Sequence, residues 1–491
     1  MRLVEILQAC PALPASSWHD AAALDLAGAS ADSRAMHTGF LFAALPGTRA
    51  DGRAFIADAV ARGACAVLAP EGTAWPAGVP ARPLLTCPEP RRALAQIAAV
   101  LAGPAPATMV AVTGTNGKTS TVEFLRQIWT AAGHKAATVG TLGVVAEGHE
   151  TGPGLTTPAP EKLAETLAAL ARDGVDSAAL EASSIGLDQF RLDGLRFAAA
   201  AFTNLTRDHL DYHHTMAAYR AAKLRLFAEL LPEGAPAVAH TALEPETMAA
   251  LRAVAARRHL SLAVVGEGGE AIDLRRATPL PDGQEIELAI GGARQVLHLP
   301  LVGRFQADNA LVAAALAQAT GTADALAALP HLHGVRGRLE RAAVLPNGAA
   351  VYVDFAHTPD GLEHLLAALR PHTRGRLHVV FGAGGDRDPG KRPLMGEVCA
   401  RLADVAVVTD DNPRSEEPAA IRAAVLAGTG GRARDGGPRE AAIASALSDL
   451  TPGDVLVVAG KGHEQGQTIR GVVHPFDDVA VVRRLVGESR P

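Results

Sequence analysis

The stretch Thr113-Gly114-Thr115-Asn116-Gly117-Lys118-Thr119 decides how the chain is read. It closes an apolar run, residues 109–113, of the kind that forms a buried strand. It opens a segment with apolar residues at Val122, Leu125, Trp129 and Ala132, the spacing of one helix face. Strand, glycine-rich turn and helix in that order gather backbone N–H groups at the positive end of a helix, a suitable seat for phosphate. In such a loop Lys118 reaches the terminal phosphates of a nucleotide and the Thr119 hydroxyl can ligate Mg²⁺. Gly114, Thr115, Asn116, Gly117 and Ser120 complete the expected cradle. The loop departs from the general phosphate-loop pattern at Val112, five positions before Gly117, where that pattern has glycine.

Working outward, apolar runs at 175–181 and 198–203 read as further parallel strands, and 159–172 and 307–318 as helices. This section is expected to run from 106 to 333. Before it, residues 1–105 mix short strands such as 65–69 with a turn-rich segment, 46–52, and end in an amphipathic helix, 91–101, and a GPAPA linker. After it, 334–491 carries apolar strands at 350–354, 377–381, 405–409 and 455–459 with alanine-rich helices between them. That pattern is a Rossmann-like open parallel sheet with ligand loops at the carboxyl ends of its strands. The expected class is therefore α/β in three domains around a central phosphate-loop sheet.

At 491 residues the chain has room for about three domains. A net charge of -6 supplies no bulk positive field, so neither nucleic acid nor an anionic membrane is an expected partner. Cys10, Cys65, Cys87 and Cys399 are scattered with no CxxC pair and read as reduced thiols. No apolar run approaches the roughly 20 residues of a membrane span. The N-terminus lacks a basic start and an unbroken apolar core, so a cytoplasmic protein is expected.

Several side chains outside the loop invite chemistry, each beside a plainer reading. Glu181 ends an apolar strand, either as a surface strand end or as a metal ligand. The run 207–214 holds His209, His213 and His214 with Asp208 and Asp211, which suggests zinc, but neither a thiolate nor HExxH spacing accompanies it. His213 and His214 read as cleft-shaping or exposed. Lys223 lies on an expected helix, 216–230, and by residue type alone is a solvated lysine. Asp411-Asn412-Pro413-Arg414 reads as a surface Asx-Pro turn or as a rigid loop presenting a guanidinium fork to a carboxylate. VVFGAGGDRD suggests a dinucleotide site, but Arg387 stands where the third glycine of GxGxxG belongs.

The loop TGTNGKT resembles that of the Mur ligases and the related folylpolyglutamate synthases. The resemblance continues along almost the whole chain through Glu181-Ala182-Ser183-Ser184, TNLTRDHLDYH (203–213), Ala221-Ala222-Lys223, DFAHTPDGL (354–362), GGDRDPGKRP (384–393), DDNPR (410–414) and GKGHE (460–464). It implies an ATP-dependent amide ligase of peptidoglycan precursor synthesis, adding meso-diaminopimelate to UDP-N-acetylmuramoyl-L-alanyl-D-glutamate through an acyl phosphate. It further implies a small uridine-binding domain and a C-terminal domain that closes over the nucleotide.

By the same resemblance, Thr119, Glu181, His209 and Lys223 serve Mg²⁺, with Lys223 carbamylated by CO₂, and Lys118, Lys223 and His209 serve catalysis. Asn309, Arg338, Asp354 and His357 add to the ATP contacts. Ser33, Thr48, Arg49, Ala50, Thr156, Thr157, Ser183, Gln189 and Arg191 meet the UDP-muramoyl dipeptide; Leu155 stands where relatives often carry Asn. Arg387, Asp411, Asn412, Pro413, Arg414, Gly460 and Glu464 meet diaminopimelate, with Asp411 and Glu464 on its distal ammonium. The partners implied are small molecules, and the enzyme is expected to act as a monomer. Another ligase of the superfamily, against which DNPR with GKGHE argues, and a nucleotide-binding switch that hydrolyses ATP without an amino acid are the rival readings.

Overall fold

The computed structural model describes residues 1–13, 24–47 and 50–487. The chain divides into two compact units: residues 1–265 with 312–325, and 266–311 with 326–491. Among the described residues no helix is long and apolar enough to cross a membrane, and all four cysteines are free.

The first unit begins with four parallel strands in chain order, Gly28–Ser30, Phe40–Ala43, Ala66–Pro70 and Leu84–Cys87. Alternation along Phe40–Ala43 sends Leu41 and Ala43 to the face that packs Leu94 and Ile97 of helix Pro90–Ala102. Phe42 goes to the other face, against Ile56 and Val60 of helix Ile56–Ala61. The expected strand at 65–69 and helix at 91–101 are present with ends shifted by one residue.

The larger sheet of this unit is ordered Ser261–Gly266, Pro236–His240, Ala199–Phe202, Thr108–Thr113, Ser177–Glu181, Ala136–Gly140, Gly143–Ala146 and His149–Glu150. Its strands pair in parallel up to Ala136–Gly140, and the last two add antiparallel. Thr108–Thr113 is central, so the loop after it opens at the carboxyl edge beside those after Ser177–Glu181 and Ala199–Phe202. That edge is where ligands collect in open α/β sheets.

The expected helix 216–230 is α-helical only over Met216–Arg225, and Leu226–Leu230 is a π turn. Such a widening is a local feature that hydrophobic spacing does not reveal.

In the second unit, Ile272–Leu280, Gly283–Ile290 and Ala293–Leu299 form an antiparallel meander. The six-stranded sheet has the order Glu340–Val344, Ala350–Asp354, Val455–Ala459, Leu377–Phe381, Val405–Thr409 and Ala433–Gly437. All its pairs are parallel except the first. The four strands expected from apolar runs occur with the expected bounds. Helices cover both faces, with Leu362, Leu366 and Met395 in one core and Ile443, Leu447 and Val482 in the other. Parallel pairing puts the loops 355–358, 382–390, 410–417 and 460–465 at one edge of this sheet.

Candidate functional site

The glycine-rich loop is shaped by close approach. Gly114 has φ +150, and a Cβ there would lie 1.9 Å from the Thr203 hydroxyl; Gly117, φ +86, starts helix Lys118–Ala131. The segment 203–206 backs the loop. The Thr115 N–H donates to the Asn204 carbonyl and the Asn116 N–H to Asn204 Oδ1, both at 2.9 Å, while the Thr203 hydroxyl donates to the Asn116 carbonyl at 2.7 Å. Lys118 Nζ folds back onto the carbonyls of Gly114 and Thr115, each at 2.9 Å. Thr119 and Ser120 are buried at the helix start.

Lys223 is not the solvated lysine its residue type suggests. It is 1% exposed, its Nζ donates to the Gly114 carbonyl at 2.7 Å, and it lies 4.6 Å from the centroid of the Tyr219 ring. Burial first, and then the charge of Lys118, hold its amine well below the usual lysine range. Tyr219, which sequence reading did not single out, is fully buried; its hydroxyl meets Thr115 Oγ1 at 3.1 Å, and burial raises it to about 12. Its place four residues before Lys223, on the same helix face, was the available signal.

Glu181 is buried at its strand end and accepts from the Thr141 N–H at 2.8 Å and the Thr141 hydroxyl at 3.2 Å. A Cβ on Gly140 would come within 2.2 Å of its carboxylate. His209 has φ 51 and is half-exposed, 3.5 Å from Asp208; its ring stands edge-on to Tyr219 at 6.3 Å. His213 is buried, which lowers its pKa, and His214 is exposed. Among the described residues no three His, Cys, Asp or Glu side chains form a group able to hold a metal ion.

Five expected substrate contacts form one network around Glu181. Thr141 and Thr156 hydroxyls meet at 3.1 Å. Thr157 donates to the Glu181 carbonyl at 2.8 Å and meets the Ser183 hydroxyl at 3.0 Å. Ser183 caps helix Ser184–Asp188. Arg191 donates to the Thr157 carbonyl at 2.6 Å and to Gln189 Oε1 at 2.7 Å. In the first domain Ser33 is buried at the start of a short 3₁₀ turn, and the Ala50 carbonyl accepts from the Gly47 N–H at 3.1 Å. Thr48 and Arg49 lie outside the described residues.

The second unit gathers the other expected positions at its own sheet edge. Asp354 accepts from the N–H groups of Ala356 and Leu339, both at 2.8 Å, and burial raises its pKa. The Arg338 guanidinium lies 5.0 Å from the Phe355 centroid, and the His357 ring packs on Phe355 at 4.6 Å. Gly337, φ +65, packs closely on the segment 460–464, since a Cβ there would sit 2.2 Å from the His463 backbone nitrogen. Asn309 is buried in helix Arg304–Ala319 and donates to Gln306 Oε1 at 3.2 Å.

The segments 411–414 and 460–464 are clasped together. Asp411 and Asn412 are buried, and Asn412 Nδ2 donates to Glu464 Oε2 at 2.8 Å. Lys461, fully buried and missed by sequence reading although it sits inside GKGHE, donates to Asn412 Oδ1 at 3.2 Å and Glu464 Oε2 at 3.1 Å. Gln467 and Thr468 brace the same loop through the Asp411 carbonyl at 2.6 Å and Asn412 Oδ1 at 2.9 Å. Gly460, φ +115, leaves room for Asp411 Oδ2, which a Cβ would approach to 2.6 Å; among the described residues that oxygen is buried without a hydrogen-bond partner. Arg414 holds φ 52 between hydrogen bonds from its N–H to Thr468 and to its carbonyl from Arg470. Its side chain donates to the Gly385 carbonyl at 2.7 Å, so it is neither a free turn residue nor fully solvated. Pro413 is buried, and a Cβ on Gly385 would lie 1.9 Å from its carbonyl oxygen. The glycines of VVFGAGGDRD thus serve loop packing. Arg387 is exposed on the same loop.

Three family models match: "Mur ligase family, catalytic domain" over residues 25–101, "Mur ligase middle domain" over 112–317, and "Mur ligase, glutamate ligase domain" over 337–462. The UDP-N-acetylmuramoyl-L-alanyl-D-glutamate--2,6-diaminopimelate ligase of Caulobacter vibrioides is 56% identical over 463 residues, 93% of this chain and 94% of the relative. The protein of the same name from Rhizobium meliloti is 51% identical over 479 residues, 97% of each chain. A solved structure of a ligase with this name superposes with TM-score 0.73 at 31% identity over 99% of each chain.

Proposed function

This chain belongs to the Mur ligase family, and from that premise we propose that it is an ATP-dependent ligase joining meso-diaminopimelate to UDP-N-acetylmuramoyl-L-alanyl-D-glutamate. The observation that carries the reading is the clasp of 411–414 on 460–464. Asp411 Oδ2, buried without a hydrogen-bond partner among the described residues, and Glu464 offer negative charge to an ammonium, and Arg414 offers a planar donor fork to a carboxylate. An amino acid with a charged amine and a carboxylate at its far end suits that set.

The reaction needs a carboxylate made electrophilic in water. Its oxygen attacks the terminal phosphorus of ATP and ADP leaves; the amine then attacks the acyl phosphate carbon, loses a proton and expels phosphate. Backbone N–H groups of residues 114–119 and the Lys118 ammonium bind and neutralise the phosphates. Thr156, Thr157, Ser183, Gln189 and Arg191 hold the UDP-linked substrate with Ser33 and the 48–50 segment, and Asn309, Arg338, Asp354 and His357 hold the nucleotide. Arg387 and Gly460 complete the amino-acid site.

The donors available to a metal are mostly hard oxygens, those of the Glu181 carboxylate, the Thr119 hydroxyl and, once carbamylated, Lys223, with the borderline His209 imidazole beside them. These fit Mg²⁺, which when bound neutralises charge on phosphoryl oxygens. A buried lysine held well below its usual range is readily a nucleophile for CO₂, and adding CO₂ with loss of one proton replaces a potential cation by a carboxylate. The domain limits proposed are 1–105, 106–333 and 334–491, and the enzyme is proposed to be cytoplasmic and monomeric.

Omitting each substrate in turn tests the reading. Phosphate release and a product heavier by one diaminopimelate residue are expected only with ATP, the UDP-muramoyl dipeptide and diaminopimelate together. Full phosphate release without the amino acid would favour the switch reading instead.

A further inference from the structure

Arg225 ends helix Met216–Arg225, two residues after Lys223, and residues two apart on a helix do not face each other. Lys223 reaches the phosphate loop at the Gly114 carbonyl. Arg225 reaches the loop 187–193 instead, with its side chain only 10% exposed. Its Nη1 donates to the Leu187 carbonyl at 2.7 Å, and its Nη2 pairs with the fully buried Asp193 carboxylate. Between these two bonds the guanidinium lies 4.2 Å from the centroid of the Phe190 ring. One planar fork thus holds the start, the middle and the end of the loop. Phe190 is the residue that needs holding. Its φ of 58 lies in the left-handed region, which is uncommon for a bulky side chain and persists where the surroundings impose it. Its two neighbours, Gln189 and Arg191, bond to each other at 2.7 Å. From there Gln189 meets the Tyr212 hydroxyl at 3.2 Å, and Arg191 donates to the Thr157 carbonyl at 2.6 Å.

We propose that Arg225 is a positioning residue that moulds the loop 187–193, sets Gln189 and Arg191 for the UDP-linked substrate, and joins that site to the helix carrying Lys223. The proposal rests on the assignment of Gln189 and Arg191 to that substrate and adds the residue that shapes them. Lysine is no substitute, since one ammonium cannot serve the Leu187 carbonyl and the Asp193 carboxylate while stacking on a ring between them.

The test uses Arg225→Met in the full-length enzyme, which keeps much of the packing and removes the fork and its charge. Amide exchange over residues 187–193 should quicken by about tenfold or more in the free protein, a readout of the loop that needs no substrate. KM for the UDP-muramoyl dipeptide should rise by about tenfold or more, with KM for ATP unchanged. Unaltered exchange over the loop would overturn the proposal. So would an equal rise in KM for ATP, since a helix merely loosened disturbs Lys223 and the phosphate loop as well. Arg225→Lys retains a cation beside Asp193 and protects the test against a variant that fails to fold. It should recover only part of the lost affinity for the dipeptide, and full recovery would show that charge alone suffices and refute the moulding role. Gln189→Ala and Arg191→Ala separate the premise from the relay. An unchanged KM for the UDP-muramoyl dipeptide in both would remove the loop from the substrate site, and the proposal with it, even where Arg225→Met quickens exchange.

Discussion

The side-chain nitrogens of Lys118 and Lys223 both donate to the carbonyl oxygen of Gly114, at 2.9 and 2.7 Å. Lys118 reaches it from the first turn of its own helix, and Lys223 from helix Met216–Arg225. Two ammonium groups on one carbonyl repel, and the charged form of the more deeply buried one is disfavoured the more. Lys223 is that one, held well below the usual lysine range by burial and by Lys118. The pair suits the two tasks proposed for it, a cation for phosphate and an amine that reacts with CO₂.

Replacing Lys118 by Ala removes the cation and should slow ATP-dependent ligation on the order of a thousandfold or more. Near-normal ligation by Lys118→Ala would contradict the phosphate-loop role.

Mass spectrometry of the native, bicarbonate-supplied enzyme at neutral pH should show one added carboxyl group on Lys223, lost on acidification. Lys223→Ala should be inactive. An unmodified Lys223 in fully active enzyme would contradict the carbamate.

Much of this was legible in the sequence because it is local. The strand, the turn glycines and Lys118 are consecutive, and the apolar runs at 350–354, 377–381, 405–409 and 455–459 each mark a buried parallel strand without reference to a neighbour. Lys461 and Gln306 were not legible, since each contacts a partner remote in sequence, Asn412 and Arg338, and Tyr219, four residues before Lys223, showed its helix face but not its contact with Thr115. The meander 272–299 was missed for another reason. Its last strand, Ala293–Leu299, is exposed over most of its length, so no apolar face announces it.

Asp193 has a fully buried carboxylate that pairs with Arg225, two residues after Lys223, and with Arg92 at 3.0 Å. Asp193→Ala removes the carboxylate that Arg225 and Arg92 share, leaves Arg225 with Glu229 at 3.2 Å and the Leu187 carbonyl at 2.7 Å, and should cost about 1.5–3 kcal/mol of stability. A melting temperature within a degree of the unaltered enzyme would show the pair to be dispensable.

His463 is buried and lowered to about 4, by desolvation first and by Arg338 second. Between its unfolded value near 6.5 and about 4 the unfolded chain binds a proton that the folded chain does not. The stability His463 contributes is thus present above about 6.5 and is lost as pH falls toward 4, on the order of 3 kcal/mol. Denaturation curves for His463→Gln should show a shallower loss over this window; an identical pH profile would contradict the assignment.

The central claim is that the clasped loop 411–414 selects an amino acid with a carboxylate at its far end, and competition between meso-diaminopimelate and L-lysine tests it directly. With lysine bound, Arg414 would be buried against the ligand without its carboxylate partner, a penalty of roughly 3–5 kcal/mol. Ligation rates are therefore predicted to favour diaminopimelate by about a hundredfold or more, with Arg414→Ala losing chiefly the diaminopimelate reaction. Equal ligation of the two amino acids by the unaltered enzyme, or unchanged diaminopimelate affinity in Arg414→Ala, would contradict the account.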